Sequence, residues 1–145
     1  YVYLPKQRVL RVYSTHDRHL EREISVATGG RESLRTLCLS DAASLLAVDN
    51  ILLDLERLTV VQTLTQGTNV VAFDAPRDRM YVQQGFETPE GWRQDTLVEL
   101  QGGKRTRTWT FSPVPGIPNV FHFDFDRGRF FVGYVETAVV ELFTL

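Results

Sequence analysis

Two histidines three positions apart lie in the only cluster whose residue types and spacing could suit a metal ion. His16 and His19 flank Asp17 and Arg18. Neutral imidazole and carboxylate groups are ligands for zinc or a similar ion. In a connection between two strands this spacing does not direct both rings toward one point, as a helix would. We therefore interpret the segment as a polar turn, and we expect no metal or other cofactor.

Two further residues could in principle carry catalytic chemistry. His122 lies between Phe121 and Phe123 in an apolar segment, and the single cysteine, Cys38, lies in another. A catalytic histidine needs a nucleophile or a carboxylate as its partner, but no serine occurs in a Gly-x-Ser-x-Gly context. The cysteine has no cation beside it in sequence that would favour a thiolate. We interpret both residues as packing residues and predict that the protein is not an enzyme.

Several acidic residues stand where strands give way to turns. Asp74, Asp78, Asp124 and Asp126 could be imagined as paired acids for glycoside chemistry. Short carboxylates at such junctions also accept hydrogen bonds from nearby backbone amides. We favour the role in the turns.

Length and composition exclude several classes of protein. The 145 residues suffice for one domain with a hydrophobic core. A formal net charge of −2 argues against a dedicated nucleic-acid binder. No apolar run approaches the roughly 18–20 residues that cross a bilayer, so we expect no membrane span. The compartment is left open; the single cysteine and the lack of a signal-peptide pattern favour an intracellular location.

Short apolar runs that alternate with polar residues dominate the chain. Such runs are typical of strands that are half buried, and Gly, Pro, Asp and Ser clusters separate them. They predict an all-β protein without a convincing helix. The predicted strands cover residues 1–4, 8–13, 21–26, 34–39, 44–48, 51–55, 59–64, 69–73, 79–83, 96–100, 107–111, 120–125, 129–133 and 138–143.

Three stretches of the chain align with one another: residues 37–48, 71–82 and 121–132. Each contains a strand that ends in Ser or Asp, a turn, and a second apolar strand. A further run with a similar ending follows each stretch, in residues 51–55, 97–100 and 139–143. The spacing between repeats lies within the range typical of propeller blades.

This repeat resembles the β-propeller superfamily, in particular WD40-like and YVTN-like blades. The resemblance implies a β-propeller or partial propeller of about three and a half four-stranded antiparallel blades. It predicts one propeller-like domain over residues 1–145, as part of a larger propeller or chain. The four strands of a blade are labelled a to d in chain order. The chain is expected to begin with a half blade, strands c and d, which three complete blades follow.

An incomplete ring leaves apolar faces uncovered. A strand buried on both faces is a continuous apolar run, as in Ile51-Leu52-Leu53 and Val139-Val140. The first and last blades would each expose one such face. We therefore expect a protein partner or further blades, which could come from the same chain, from another subunit or from self-association.

The longest insertion between predicted strands covers residues 84–95. It carries Phe86, Trp92 and Arg93 among polar residues, and long loops with an aromatic anchor are typical of protein-binding sites. The alternative that Trp92 folds back onto its own blade stays open.

The resemblance also implies that binding occurs through turns on the faces of the ring. By position alone, it places His16, Arg18 and His19 on one face with the turns that carry Arg77 and Arg127. The loop at residues 84–95 would lie on the opposite face.

We therefore predict a non-catalytic scaffold that binds a protein or peptide partner through its propeller loops. One alternative is a hydrolase or lactonase-like propeller enzyme with a metal at the channel mouth, which requires His16, His19 and Asp126 to converge. Another is a structural subunit of a large complex.

Overall fold

The structure is a computed structural model that describes residues 2–4, 9–26, 37–40, 44–65, 67–88, 91–111, 118–134 and 137–145. For residues 2–4, 86–88, 91–95 and 118–119 it describes the backbone alone. These residues form an all-β protein of fourteen strands in four antiparallel sheets, A to D. Within this part of the chain, no helix has the length and apolar character needed to cross a membrane.

The chain divides into two compact units, and the first covers Tyr1–Asn69. Sheet A contains β1 (Val2–Leu4), β2 (Val9–Tyr13) and β3 (Leu20–Ser25). Sheet B contains β4 (Leu37–Ser40), β5 (Leu45–Val48), β6 (Ile51–Asp54) and β7 (Thr59–Thr63). The buried core of this unit consists of Leu10, Val26, Leu46, Val48, Ile51 and Leu53.

The second unit covers Val70–Leu145. Sheet C contains β8 (Thr68–Asp74), β9 (Arg79–Thr88), β10 (Gly91–Gln101) and β11 (Lys104–Thr110). Sheet D contains β12 (Pro118–Asp124), β13 (Arg129–Tyr134) and β14 (Val139–Thr144). An aromatic core joins the two sheets, with Ala72, Tyr81, Leu97 and Trp109 from sheet C and Phe130, Val132 and Tyr134 from sheet D.

Each of the fourteen predicted strands overlaps an observed strand, so the all-β prediction is confirmed. Every sheet is a meander in which strands that follow one another in sequence are paired. The prediction that Ile51-Leu52-Leu53 is buried on both faces is also confirmed, because all three side chains are buried. Val139-Val140 differs, since Val140 is exposed.

The predicted grouping of strands into blades is wrong by one strand. Sheets B and C each consist of strands b, c and d of one repeat followed by strand a of the next. Sheets A, B, C and D therefore contain three, four, four and three strands. In sheet C a two-residue turn accounts for this outcome, because a tight hairpin pairs the strands that it joins. Gly102 and Gly103, for example, join β10 to β11.

The predicted long loop at residues 84–95 is wrong as well. In the structure β9 and β10 extend into this segment, where Phe86 pairs with Arg93 and Glu87 pairs with Trp92. The segment folds back on itself, because a hairpin satisfies backbone hydrogen bonds that a structureless loop would leave to water.

Candidate partner-binding surface

The turn between β8 and β9 holds an arginine against a buried aspartate. Ala75–Arg77 forms a 3-10 turn with a proline at its start, and Asp78 ends it in the left-handed conformation with φ of 51°. Arg77 Nη1 donates to Asp74 Oδ2 at 3.0 Å and to Oδ1 at 3.3 Å. The Asp74 side chain is only 5% exposed, whereas the Arg77 side chain is 50% exposed. The turn therefore presents one end of a tethered guanidinium to solvent.

The turn between β12 and β13 repeats this arrangement. Asp124 Oδ1 accepts the backbone N–H of Arg127 at 3.2 Å, and Oδ2 accepts Arg127 Nη1 at 3.3 Å and Arg129 Nε at 3.2 Å. Burial acts to raise the pKa of Asp124, but these bonds hold it below its ordinary value. Gly128 follows with φ of 60°, in the place that Asp78 has in the other turn. The interpretation of Asp124 as a turn residue is confirmed.

A third copy of the same turn lies in the first unit. Asp54 Oδ1 accepts the backbone N–H groups of Glu56 and Arg57 at 2.8 and 2.9 Å, and Arg57 Nη1 donates to Asp54 Oδ2. Leu58 ends this turn with φ of 54°. The spacing Asp-x-x-Arg is a sequence pattern that reasoning from the strand endings missed, and it occurs in all three turns.

The two turns of the second unit line one pocket of about 380 Å³. Arg77 and Arg127, both predicted to contact a partner, lie at this pocket, and the Arg127 side chain is 71% exposed. Arg79, Tyr81, Phe125 and Asp126 also line it. The structure thus brings together two of the predicted residues that are 50 positions apart in sequence.

Two aromatic residues line the pocket, and one of them is fixed by a hydrogen bond. The rings of Tyr81 and Phe125 lie 5.6 Å apart between centroids. The Tyr81 hydroxyl donates to Glu99 Oε2 at 3.0 Å, and Arg79 Nη1 donates to the same oxygen at 3.3 Å. Burial, aided by the bond to Glu99, raises the pKa of Tyr81 to about 12. The phenol therefore stays neutral at physiological pH.

The arginines keep donors for a ligand although each has an acidic neighbour. Among the described residues, the side-chain bonds of Arg77 and Arg127 involve Nη1 alone. A guanidinium has five N–H donors in a planar fork that matches a carboxylate. Gln101 Nε2 donates to the Arg77 carbonyl at 3.1 Å and so anchors the first turn to sheet C. Each of the two arginines therefore has N–H donors beyond those that contact its neighbouring aspartate.

His16, Arg18 and His19 lie in the first unit, on the exposed turn between β2 and β3. The backbone N–H of Ser14 donates to the His19 carbonyl at 3.0 Å, and His19 Nδ1 lies 2.6 Å from Asp17 Oδ1. Hydrogen bonds from Ser14 and His19 lower the pKa of Asp17. The prediction of a polar turn is confirmed here, whereas its binding role stays a prediction.

The remaining predicted residues have less complete descriptions. Phe86, Trp92 and Arg93 lie on the β9–β10 hairpin, and their side chains fall outside the described residues. Among the described residues no group of three or more His, Cys, Asp or Glu side chains is arranged to hold a metal ion. His16 and His19 belong to the first unit and Asp126 to the second, so the alternative that requires their convergence stays open.

No family model and no curated protein matches this chain. The proposed function therefore rests on the turns, the pocket and the sheet arrangement of the described residues.

Proposed function

We propose that this chain is a non-catalytic interaction module of propeller type, which binds a segment of a protein partner through the arginine-bearing turns of its second unit. One observation carries the proposal: equivalent turns of two sheets place Arg77 and Arg127 at the same pocket. The identity of the site does not depend on how many blades complete the ring.

The chemistry of the pocket favours a segment with a carboxylate beside an apolar or aromatic side chain. Arg77 and Arg127 offer forked donors to the carboxylate, and Phe125 offers an apolar contact at the pocket. Asp74 and Asp124 already hold the two guanidinium groups, so less side-chain entropy is lost when a partner binds. A tethered arginine next to an aromatic ring is typical of residues that dominate binding energy.

The arrangement of sheets supports a propeller-type architecture. Each sheet is an antiparallel meander in sequence order, and each unit packs two sheets around one core. Blades of a propeller have these two properties. The β8–β9 and β12–β13 turns each join the first and second strands of their sheet. In a propeller, equivalent turns of neighbouring blades lie on one face of the ring.

Fluorescence anisotropy with a short labelled peptide tests the proposal. The probe alternates glutamate with phenylalanine, and a matched peptide has lysine in place of glutamate. We expect the acidic peptide to bind more tightly, and we expect the double variant Arg77→Ala, Arg127→Ala to weaken its binding by about tenfold or more, because two charge-assisted contacts are lost.

Arg57→Ala is the matched control, because Arg57 makes the same kind of contact with Asp54 in the β6–β7 turn of the first unit, which has the same Asp-x-x-Arg spacing. It should leave binding unchanged. Equal losses in Arg57→Ala and the double variant would mean that general charge, and not this pocket, attracts the peptide. Equal affinity for the lysine peptide would also overturn the proposal.

A further inference from the structure

An exposed carboxylate lies at the pocket together with the arginines. Asp126 lines the pocket and is exposed to solvent. Among the described residues, its side chain forms no hydrogen bond and no ion pair. Asp74 and Asp124, by contrast, each contact an arginine of their own turn. Within this part of the chain, both oxygens of Asp126 therefore keep their acceptor sites.

The charges gathered at the pocket balance one another. The charged residues that line it, together with those that ion pairs connect to them, are Arg77, Arg79, Arg127 and Arg129 with Asp74, Glu99, Asp124 and Asp126. Within the described residues this group therefore has no net charge. A purely acidic ligand gains the arginine donors but is repelled by Asp126, whereas a ligand with charges of both signs can match both.

Hydrogen bonds fix the turn that carries Asp126. The backbone N–H of Gly128 donates to the Phe125 carbonyl at 3.3 Å. Asp126 and Arg127 therefore take the two central positions of a β-turn. The Gly128 carbonyl accepts the backbone N–H of Leu145 at 2.8 Å. Since the backbone is already ordered, a ligand has to order only the Asp126 side chain, and this lowers the entropic cost of binding.

The other turn at the pocket lacks this carboxylate. Asp126 stands directly before Arg127, whereas Pro76 stands directly before Arg77. Asp78 follows Arg77 and is exposed, but it does not line the pocket. A basic group is therefore attracted to the β12–β13 turn, and the Arg77 guanidinium is left for a carboxylate. Such an asymmetric distribution of charge gives a bound segment one preferred direction.

We propose that Asp126 binds a basic side chain of the partner segment. The segment carries an acidic and a basic residue on either side of an apolar or aromatic one. Its carboxylate contacts the arginines, and its ammonium or guanidinium group contacts Asp126. This role rests on the proposed function, because both use the same pocket. A segment with two acidic residues is disfavoured by the charge of Asp126, so the pocket selects among partners.

Three labelled peptides test this role by fluorescence anisotropy. The acidic peptide alternates glutamate with phenylalanine, the mixed peptide has lysine in place of every other glutamate, and the glutamine peptide has glutamine at those positions. We expect the mixed peptide to bind about two- to fivefold more tightly than the glutamine peptide, because a partly exposed ion pair is gained. The preference should shrink at high ionic strength, since salt screens exposed charges.

Asp126→Asn should abolish this preference, and Asp126→Lys should reverse it, so that the glutamine peptide binds more tightly than the mixed one. Asp78→Asn is the matched control, because it removes the same charge from an exposed position of the β8–β9 turn. Asparagine tolerates the left-handed conformation that Asp78 has there. This control should leave the preference unchanged.

Equal affinities for the mixed and glutamine peptides in the parent protein would overturn the role of Asp126, and so would an equal loss of the preference in Asp78→Asn. Either result would leave the proposed function standing, provided that the acidic peptide still needs Arg77 and Arg127. If instead the double variant Arg77→Ala, Arg127→Ala binds every peptide as the parent protein does, or if no peptide binds, both proposals fail.

Discussion

The indole nitrogen of Trp109 donates a hydrogen bond to the main-chain carbonyl oxygen of Thr144 at 3.0 Å. Trp109 belongs to β11 of sheet C, and Thr144 ends β14 of sheet D. The same indole lies edge-on to Phe130, with 5.3 Å between ring centroids. One side chain thus joins the two sheets by a polar and an aromatic contact.

We expect Trp109→Phe to lower the free energy of unfolding by about 1 kcal/mol or more, because it keeps a ring but removes the donor to Thr144. Trp109→Ala should cost about 3–5 kcal/mol, since it also empties part of the aromatic core. Urea unfolding followed by circular dichroism measures both values. Equal costs for the two variants would show that the ring contributes nothing beyond its hydrogen bond.

Tyr81 should show itself in an ultraviolet titration as a tyrosine that ionises near pH 12. Burial and the bond to Glu99 raise its pKa to about 12 from the ordinary value of 10.0. The unfolded chain loses this proton first, so the stability of the protein should fall as the pH rises from about 10 to 12. Tyr81→Phe should remove both the late titration and this part of the pH dependence.

At neutral pH Tyr81→Phe should also cost about 2 kcal/mol, because a hydrogen bond to a buried charged group is lost. The loss of stability in Tyr134→Phe is the comparison, since the Tyr134 hydroxyl donates a hydrogen bond to Glu141 in sheet D. A Tyr81→Phe variant as stable as the parent protein would mean that Arg79 and Thr106, which also donate to Glu99, satisfy it without the phenol.

Cys38 should react slowly with a thiol reagent. Burial raises the pKa of its thiol to about 11 from 9.0, and the thiolate is the reactive form. We expect the alkylation rate to keep rising up to about pH 11 in the folded protein, whereas in urea it should level off near pH 9. The folded state binds its proton more tightly, so stability should decline between these two values. A folded-state rate that levels off near pH 9 would contradict this prediction.

Asp54 should make the first unit sensitive to acid. The backbone N–H of Arg57, above all, lowers the pKa of Asp54 below its ordinary value of 3.8. A carboxylate with a lowered pKa contributes stability above pH 3.8, and the contribution is lost as the pH falls through the lower, folded-state value. Asp54→Asn should therefore be less stable than the parent protein at neutral pH and should approach it in acid. Urea unfolding at a series of pH values measures the difference, and a constant difference would contradict the prediction.

The strands could be predicted from sequence because alternation of apolar and polar residues is a local property. Pairing between strands depends on the connections, and the tight turn at Gly102-Gly103 already indicated that β10 pairs with β11. Grouping the strands by repeat instead predicts that β10 and β11 lie in different blades. A repeat in sequence and a sheet in space need not begin at the same strand.

The candidate site could be predicted only in part. The repeat predicts equivalent positions for the turns that carry Arg77 and Arg127, but nothing local in the sequence shows that the two turns line one pocket. For Tyr81 the sequence predicts only a strand, because the pocket that it lines is formed by packing between sheets. The Asp-x-x-Arg spacing was present in the sequence and would have identified the tethered arginines.

The meander order of the sheets has a consequence for how the chain assembles. Within the described part of the chain, every hydrogen-bonded ladder connects strands that are neighbours along the polypeptide, so none of these ladders has to wait for a distant segment to be synthesised. Such local connectivity favours rapid formation of each sheet. It also means that a gene could gain or lose the coding region for a whole sheet without separating paired strands in the others.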